Sequence, residues 1–217
     1  MSFFAILLLS PLFLILIVSG TIMMRGNPFF LQKRPGKKKK DGTERIFVLV
    51  KFRTMSNKKN ESGEYLSDQQ RLNKYGAFLR STSLDELPEL FNILCGDMSI
   101  VGPRPQLVKD MVFMTDQQRQ RHSVRPGLTG LAQVSGRNNI SWERKLDLDL
   151  EYIKDVSFFG DLRVFFLTFS RVIKRTDTVR EGTASDTDYG DWLLEKGLIT
   201  REEYENKQEE AKRFLRR

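Results

Sequence analysis

Residues 83–88 read Ser-Leu-Asp-Glu-Leu-Pro, and a second motif, Gly-Asp-Met-Ser-Ile-Val-Gly-Pro-Arg-Pro, follows at residues 96–105. The spacing of Ser83 and Glu86 is that of a capping box, which marks the start of a helix. Apolar residues at 84, 87, 91 and 94 then recur at helical spacing, and Pro88 is expected to bend the helix in its second turn. The pattern predicts a helix that begins at Ser83 and carries Asp85 and Glu86 in its first turn.

Asp85 and Glu86 are the main candidates for chemistry. A capping box is a sufficient reason for Glu86, whereas capping does not require an acid at Asp85. Successive helical side chains point about 100° apart, so the two carboxylates can face one site and perform different tasks. One can attack phosphorus as a nucleophile, while the other holds a divalent cation or moves a proton. Because Mg²⁺ needs only one or two carboxylates plus substrate phosphates, Asp85 and Glu86 are its candidate ligands.

Six basic residues are candidates for binding the phosphate groups of a substrate. A guanidinium group can bind phosphate through two parallel hydrogen bonds. Taken singly, such a side chain more often forms an ordinary surface ion pair. The candidates are Lys51, Arg53, Arg80, Arg104, Arg125 and Arg137.

The composition narrows the classes of function. The net charge of +8 indicates anionic partners such as nucleic acid, acidic lipid or phosphorylated substrates. Cys95 is the single cysteine, which excludes an internal disulfide and a cysteine-based zinc cluster, and its apolar neighbours predict a buried thiol. His122 is the single histidine, which excludes a multi-histidine metal site and argues against a Ser-His-Asp triad.

Residues 3–24 form an almost unbroken apolar run, about as long as a membrane-spanning helix needs to be. Basic residues follow it at 25, 33, 34 and 37–40, with no acid before Asp41, so the positive-inside rule places the remaining chain in the cytoplasm. Pro11 removes one helical hydrogen bond, and Ser10 can satisfy the freed carbonyl group. These residues allow two topologies: a kinked transmembrane helix, which is the commoner case for apolar segments that contain proline, or a re-entrant helix that enters and leaves by the same face.

The remaining pattern predicts a mainly α-helical fold with a short β element. Residues 46–50 are typical of a buried strand that delivers Lys51 and Arg53 at its end. Helices are predicted at about 68–80, 105–121, 142–156 and 158–174, with a solvated charged helix at 200–217. Residues 25–45 are predicted as a connector whose lysine cluster either binds acidic lipid or is a solvated hairpin tip. The apolar helix at 158–174 has basic edges, which suits a membrane interface and an ordinary core equally.

Four blocks of this sequence resemble those of the bacterial sugar transferases called monotopic phosphoglycosyl transferases. The blocks are Lys-Phe-Arg-Thr-Met at 51–55, the motifs at 83–88 and 96–105, and Arg-Pro-Gly-Leu-Thr-Gly-Leu-Ala-Gln-Val-Ser-Gly-Arg-Asn at 125–138. The resemblance extends over about residues 5–175. Agreement of four blocks in order and at similar spacing is improbable by chance.

The resemblance implies a specific reaction. Members of this family transfer a sugar phosphate from a UDP-sugar to a polyprenyl phosphate, usually undecaprenyl phosphate, and release UMP. The aspartate of the Asp-Glu pair is their nucleophile and carries a covalent phosphosugar, a role that falls here on Asp85, while Glu86 supports Mg²⁺ and proton handling. Basic positions expected around the phosphates and the nucleotide are matched by Lys51, Arg80, Arg104 and Arg137.

The resemblance also implies a topology and a location. A Ser-Pro break makes the N-terminal helix of the family re-entrant, and it maps onto Ser10 and Pro11, which favours the re-entrant alternative. We therefore expect a re-entrant membrane helix at residues 1–24 and a charged tail at 181–217. Between them, residues 25–180 are expected to form a compact cytoplasmic catalytic domain with interface-lying amphipathic helices. The protein is expected on the cytoplasmic face of the bacterial inner membrane, in contact with membrane lipid.

Two other functions compete on the basis of charge. A membrane-tethered protein that binds nucleic acid needs basic residues on one face with stacking aromatic side chains. Here the arginines lie within acid-containing motifs, so we expect no nucleic-acid partner. A scaffold that binds acidic lipid through the lysine cluster is the second alternative. A homo-oligomer is compatible with the sequence.

Overall fold

The computed structural model describes residues 2–136, 140–174 and 187–216, without the side chains of residues 171–174. The described chain is mainly helical with a small sheet, as predicted. The helices are α1 (Ser2–Leu8), α2 (Ser10–Met23), α3 (Asp68–Arg71), α4 (Lys74–Ser81), α5 (Glu89–Leu94), α6 (Val108–Met111), α7 (Leu131–Ser135), α8 (Trp142–Lys154), α9 (Phe158–Lys174), α10 (Tyr189–Glu195) and α11 (Arg201–Arg216). The strands are β1 (Phe29–Lys38), β2 (Glu44–Phe52), β3 (Ser99–Val101) and β4 (Gly127–Thr129), and 3₁₀ segments span Leu84–Glu86 and Gln118–Ser123.

The N-terminal apolar run forms two helices, α1 and α2, which meet at an angle of 66°. The break lies at Leu9, just before Ser10 and Pro11. Because Pro11 has no N–H, the carbonyl oxygen of Leu7 lacks its helical partner, and the Ser10 hydroxyl donates to that oxygen at 2.8 Å. This confirms the role predicted for Ser10. In residues 2–136, 140–174 and 187–216 no single helix is long and apolar enough to cross a membrane, whereas the bent pair passes that test by length and composition.

Strands β1 and β2 form an antiparallel hairpin. β2 confirms the strand predicted at 46–50 and carries Lys51 next to its end. The connector predicted at 25–45 is wrong in part, because β1 occupies residues 29–38 of it. Pro35 is tolerated in β1 because the pairing register shifts between Pro35 and Lys38. The lysine cluster therefore lies at the closed end of a hairpin.

A side chain from α5 covers the outer edge of β2. Asn92 is buried, accepts from the Val50 N–H at 3.1 Å and donates to the Val48 carbonyl oxygen at 2.8 Å. Backbone groups at a strand edge need such partners when they are buried. The bonds hold α5, which follows Asp85 and Glu86 in the chain, beside the strand that carries Lys51.

Strands β3 and β4 pair in parallel and bring the third and fourth sequence blocks, residues 96–105 and 125–138, together. Their backbones lie very close: a Cβ atom on Gly127 would lie 2.1 Å from the Gly102 nitrogen. A Cβ atom on Gly130 would lie 2.1 Å from the Gly102 carbonyl oxygen. Glycine is required for such an approach of two backbones.

Two of the predicted helices are wrong in extent. The helix predicted at 68–80 is divided into α3 and α4, because the Asn73 side chain accepts from the Gly76 N–H at 2.8 Å and caps a new helix. The helix predicted at 105–121 is reduced to α6 and a 3₁₀ segment. Thr115 and Gln118 exchange side-chain-to-backbone bonds of 2.9 and 3.2 Å, which start that second segment. α8 and α9 confirm the helices predicted at 142–156 and 158–174.

The C-terminal segment is helical, as predicted near 200–217, but it also packs on the body of the protein. Tyr189 and Leu193 of α10 share a buried cluster with Trp142, and Ala211 of α11 packs against Met111 of α6. The expectation of a solvated helix is therefore wrong for this face. One small residue on a charged helix gives little signal in sequence. The domain boundaries at residues 24 and 180 stay predictions.

One buried cluster joins the N-terminal helices to the rest of the protein. It consists of Phe13 and Leu16 from α2 with Phe52, Leu79 and Leu90. The last three residues directly adjoin Lys51, Arg80 and Glu89 in the sequence. α2 therefore packs on the same strand and helices that carry the candidate site.

Candidate active site

Asp85 and Glu86 lie in the 3₁₀ segment Leu84–Glu86, between α4 and α5. The capping box predicted at Ser83 is wrong, because Ser83 has a φ of 55° and its side chain makes no capping hydrogen bond. α5 begins at Glu89, after Pro88, since proline fits the start of a helix but not its interior. The two acids are therefore presented on a turn, and Glu86 has no capping role.

Glu86 is the centre of a partly buried ion cluster. Its Oε1 accepts from Lys51 Nζ at 2.9 Å and from Arg104 Nη2 at 2.8 Å. Lys51 Nζ also lies 3.0 Å from Oε1 of Glu89, which is 2% exposed. β2, the start of α5 and the loop after β3 contribute to this cluster. The structure thus brings two of the predicted phosphate-binding residues, Lys51 and Arg104, to the Asp-Glu pair.

Asp85 lies near the same cations without being paired to them. Lys51, Arg80 and Arg104 all act electrostatically on its carboxylate. Within the part of the chain that the structure describes, no hydrogen bond or ion pair reaches this carboxylate. Asp85 therefore has free oxygens in a positive environment, whereas one oxygen of Glu86 is held by two cations.

The surroundings separate the pKa values of these acids. Burial, followed by the charge of Glu86, raises the pKa of Asp85 from 3.8 to about 6. Burial also acts to raise the pKa of Glu86, but Arg104 and Lys51 outweigh it and hold that pKa well below its usual range. Neighbouring acids with separated pKa values are typical of active sites, where one group stays ionised and another exchanges a proton.

Arg80 and Arg53 hold different groups. Arg80 Nε donates to the hydroxyl of the buried Thr54 at 3.1 Å, and its charge acts on Asp85. Arg53 donates to three main-chain carbonyl groups, those of Met24, Asn27 and Met55, at 2.7, 3.4 and 3.1 Å. Arg53 therefore ties the end of α2 to the end of β2. Its predicted contact with phosphate stays a prediction.

The structure does not bring Arg125 into the ion cluster. Arg125 is exposed, and its guanidinium lies beside Gly96, where an added Cβ would be 3.8 Å from Nη2. It is not among the strongest charges that act on Asp85 or Glu86. Arg137 lies outside the described residues. The phosphate-binding roles of both arginines stay predictions.

The backbone of the Gly102–Pro105 loop is fixed at four consecutive residues. The Gly102 N–H donates to the Thr129 carbonyl at 2.9 Å, and the Pro103 carbonyl accepts from the Gly127 N–H at 3.0 Å. The Arg104 and Pro105 carbonyls accept from Arg121 Nη2 at 2.6 Å and Arg34 Nη1 at 3.0 Å. The Arg104 side chain is therefore presented to Glu86 by a rigid backbone.

Sequence reasoning missed three charged residues at or behind the site: Glu89, Arg121 and Asp149. Glu89 could have been found from its place directly after the motif at 83–88, three residues after Glu86. Arg121 and Asp149 form a buried ion pair, with Nη2 and Oδ2 2.5 Å apart. The available signal for Asp149 was an acid between two leucines on the apolar side of α8.

The carboxylates of Asp85 and Glu86 have oxygens that a divalent cation could use. The Asp85 carboxylate is unpaired among the described residues, and Lys51 and Arg104 both bind Oε1 of Glu86 rather than Oε2. A group of three His, Cys, Asp or Glu side chains able to hold a metal is not found in the described ranges. Mg²⁺ commonly uses one or two carboxylates with water and substrate phosphates. The two acids therefore fit a metal ion that is shared with a diphosphate, and Mg²⁺ stays a prediction.

Apolar side chains are exposed on several helices. The outer faces of α1 and α2 expose Phe3, Phe4, Leu7, Leu8, Leu14, Ile15, Val18 and Ile22. On α9, Val164 is buried, whereas four phenylalanines, Phe158, Phe159, Phe166 and Phe169, are between 54% and 80% exposed. Exposed apolar surface of this extent marks a membrane or protein contact, which favours the interfacial alternative for α9.

Cys95 at the end of α5 is also exposed, so the prediction of a buried thiol is wrong.

Comparison with known proteins identifies the family of this chain. A sequence model described as bacterial sugar transferase matches residues 1–175. The uncharacterised sugar transferase EpsL of Bacillus subtilis is 48% identical over 149 residues, 68% of this chain and 71% of that protein. The exopolysaccharide production protein ExoY of Rhizobium meliloti is 37% identical over 186 residues, 77% of this chain and 80% of that protein.

A larger relative carries a more specific name. The UDP-glucose:undecaprenyl-phosphate glucose-1-phosphate transferase of Klebsiella pneumoniae is 37% identical over 177 residues, which are 75% of this chain. The matched part is 36% of that protein, so the chain spans about a third of the larger relatives. The match over residues 1–175 and these identities show that the chain belongs to the bacterial sugar transferase family of enzymes.

Proposed function

We propose that this protein transfers a sugar 1-phosphate from a UDP-sugar to undecaprenyl phosphate and releases UMP, as the first membrane step of glycan assembly. The observation that carries the proposal is the unpaired Asp85 carboxylate, placed among three cations and beside the ionised Glu86. Further support comes from relatives whose names include transfer of glucose 1-phosphate to undecaprenyl phosphate and of galactose to a lipid carrier.

The reaction takes two displacements. First, a carboxylate oxygen of Asp85 attacks the phosphorus atom that bears the sugar; the new oxygen–phosphorus bond forms as the bond to UMP breaks, and UMP leaves. Second, a phosphate oxygen of undecaprenyl phosphate attacks the same phosphorus, and the bond to Asp85 breaks, which restores the carboxylate. Dividing the transfer in this way means that two bulky anionic substrates need not occupy the site together.

The cations around Asp85 make the first attack electrostatically feasible. Lys51, Arg80 and Arg104 offset the repulsion between a carboxylate and a diphosphate, and they are already in place before the reaction. With a pKa of about 6, Asp85 is mostly ionised at neutral pH, as a nucleophile must be. Oxygens of Asp85 and Glu86 would hold Mg²⁺, which would supply further charge neutralisation on the diphosphate.

In this proposal the α1–α2 pair is re-entrant and the site faces the cytoplasm at the inner membrane. The 66° bend between the helices and the exposed apolar faces of α1, α2 and α9 support this arrangement. Arg53 binds the carbonyl group of Met24 at the end of α2, so the anchor ends close to the site. The lipid carrier presents its phosphate at the membrane surface, where such a site can reach it.

The experiment is UMP release from a panel of UDP-sugars with undecaprenyl phosphate and Mg²⁺. Asp85→Asn should abolish release, and the exposed Glu151→Gln should leave it unchanged. With UDP-sugar but no acceptor, wild type should release one UMP per enzyme and gain the mass of a sugar phosphate on the peptide that contains Asp85. Absence of UMP release with every donor, or full activity of Asp85→Asn, refutes the proposal.

Topology needs its own experiment. Single cysteines at Ser2 and Thr187 are labelled in intact and opened cells, in a Cys95→Ser background because Cys95 is itself exposed. A re-entrant anchor predicts that both positions label from the cytoplasmic side. Labelling from opposite sides contradicts the re-entrant arrangement and leaves the chemistry at Asp85 untouched.

A further inference from the structure

The Arg121–Asp149 ion pair lies behind the site, and no step of the proposed reaction uses it. Both residues are 1% exposed. Arg121 donates from Nε and Nη2 to Oδ2 of Asp149, at 2.9 and 2.5 Å. A buried ion pair is often no more stabilising than apolar residues of similar volume, because both charges lose their water. Fold stability alone is therefore a weak reason for this pair.

Arg121 also contacts the Gly102–Pro105 loop. Its Nη2 donates to the Arg104 carbonyl oxygen at 2.6 Å, and the side chain of Arg104 donates to Glu86 at 2.8 Å. Contacts therefore run from Asp149 on α8 through Arg121 and Arg104 to the Asp-Glu pair. The Arg121 bond is one of the four that fix this loop, and it is the one made at Arg104 itself, between residues 103 and 105, which are prolines without N–H groups.

Asp149 determines which way the guanidinium of Arg121 points. One edge of the guanidinium, formed by Nε and Nη2, lies against Oδ2, and the second hydrogen of Nη2 is left for the Arg104 carbonyl. Removing Asp149 alone would leave a buried guanidinium without its counter-charge. The acid and the base therefore act on the loop as a unit.

We propose that Arg121 and Asp149 are positioning residues for this active site: together they fix the Arg104 backbone, so that the Arg104 side chain stays on Glu86 and close to Asp85. The kinetic consequences rest on the proposed function. The structural consequence, a less ordered Gly102–Pro105 loop when the pair is removed, rests on the geometry alone.

The central variant replaces both charges with apolar residues, Arg121→Met together with Asp149→Leu. This avoids an unpaired buried charge, so the melting temperature should stay within a few degrees of wild type. The kcat for UMP release should fall about tenfold to a hundredfold, since small displacements of a positioned group have effects of that size. The KM for the UDP-sugar should change less than kcat.

A control removes another acid–arginine ion pair, in which the acid is buried and the arginine is partly exposed. Glu44 and Arg119 form a two-bonded ion pair next to His122, and within the described residues neither of them makes a hydrogen bond or ion pair to the Gly102–Pro105 loop. Glu44→Leu with Arg119→Met should alter the melting temperature and leave kcat at wild-type level below the transition. An equal fall in kcat in both double variants would mean a general loss of packing and would overturn the proposal.

A second readout separates positioning from a merely structural role. In an Arg104→Ala background the Arg121→Met, Asp149→Leu change should cause no further loss of kcat, because the group that it positions is already gone. Independent losses that multiply would contradict the proposal, since interacting residues give non-additive effects and independent ones give additive free energies.

Amide hydrogen exchange tests the inference without activity. The amide hydrogens in this range, those of Gly102, Arg104, Gln106 and Leu107, should exchange about tenfold faster in the Arg121→Met, Asp149→Leu variant, and at the wild-type rate in the Glu44, Arg119 control. If the central variant fails to fold, Asp149→Asn replaces it, with the same expected fall in kcat and rise in exchange rate.

If wild type releases no UMP, the proposed function is refuted, and the positioning role is then judged from the exchange rates alone. Unchanged exchange at 102–107, or wild-type kcat in the central variant, overturns it.

Discussion

Buried Glu89 should make the folded state less stable as the pH rises. Burial raises the pKa of this acid from 4.5 to about 7, with Lys51 opposing the rise and Glu86 adding to it. An acid with a higher pKa in the folded state binds more protons there, so stability is fully present below pH 4.5 and is lost as the pH rises towards 7. At about 1.4 kcal/mol per pH unit, the loss amounts to about 3 kcal/mol.

Glu89→Gln keeps the shape and an oxygen that can accept from Lys51, but it cannot ionise. We expect this variant to match wild type at pH 4.5 and to exceed it by up to about 3 kcal/mol at pH 8. For a chain of this length that is roughly 6–12 °C in melting temperature. Thermal unfolding in detergent micelles at pH 4.5, 6 and 8 measures the difference.

The control for this experiment is Glu151→Gln. Glu151 forms an exposed ion pair with Arg144, so its replacement should change stability by less than about 1 kcal/mol at every pH. If Glu89→Gln is less stable than wild type at pH 8, or if the difference is constant from pH 4.5 to 8, the assigned ionisation of Glu89 is refuted.

Three further replacements are tested by unfolding measurements. Two of them test packing, and one tests the protonation of a buried histidine. Gly76→Ala should lower the free energy of unfolding by at least about 2 kcal/mol, because its Cβ would lie 1.9 Å from the Thr54 carbonyl oxygen; an unchanged midpoint contradicts this. Burial lowers the pKa of His122 to about 4, so the folded state binds fewer protons and loses stability as the pH falls from 6.5 to about 4. His122→Gln should reduce that loss. If the free energy of unfolding depends on pH equally in the variant and in wild type, the assigned protonation of His122 is contradicted. Phe13→Ala should cost about 3–5 kcal/mol and the exposed Leu14→Ala far less; equal costs would exclude the observed packing of α2.

The sequence predicted those elements whose signals are local. α8 and α9 have long apolar periodicities that need no knowledge of distant residues. The interrupted region between residues 105 and 121 depends instead on tertiary contacts. Asp110 accepts from the Tyr189 N–H at 2.9 Å, across 79 positions of sequence, and this bond joins α6 to α10. No pattern within one segment predicts such a bond.

The sequence identified several residues of the candidate site, but it did not show which of them contact one another. The motifs identified Asp85, Glu86, Lys51 and Arg104, and the structure brings them together. The expected capping role of Glu86 depended on a helix start at Ser83, and the positive φ of Ser83 removes that start. Arg53 was indistinguishable in sequence from a phosphate ligand. Its carbonyl partners come from residues on both sides of it, which a linear pattern does not reveal.

The packing of α2 couples this N-terminal helix to the candidate active site. The Tyr75 hydroxyl of α4 donates to the Leu16 carbonyl of α2 at 3.1 Å, and Arg53 binds the carbonyl at the end of that helix. Phe13 packs against Phe52, the residue after Lys51. A rotation of α2 would therefore displace the lysine that holds Glu86. If α2 lies in the membrane as proposed, these contacts also fix the height of Asp85 relative to the lipid surface, because a close-packed core transmits displacement rather than absorbing it.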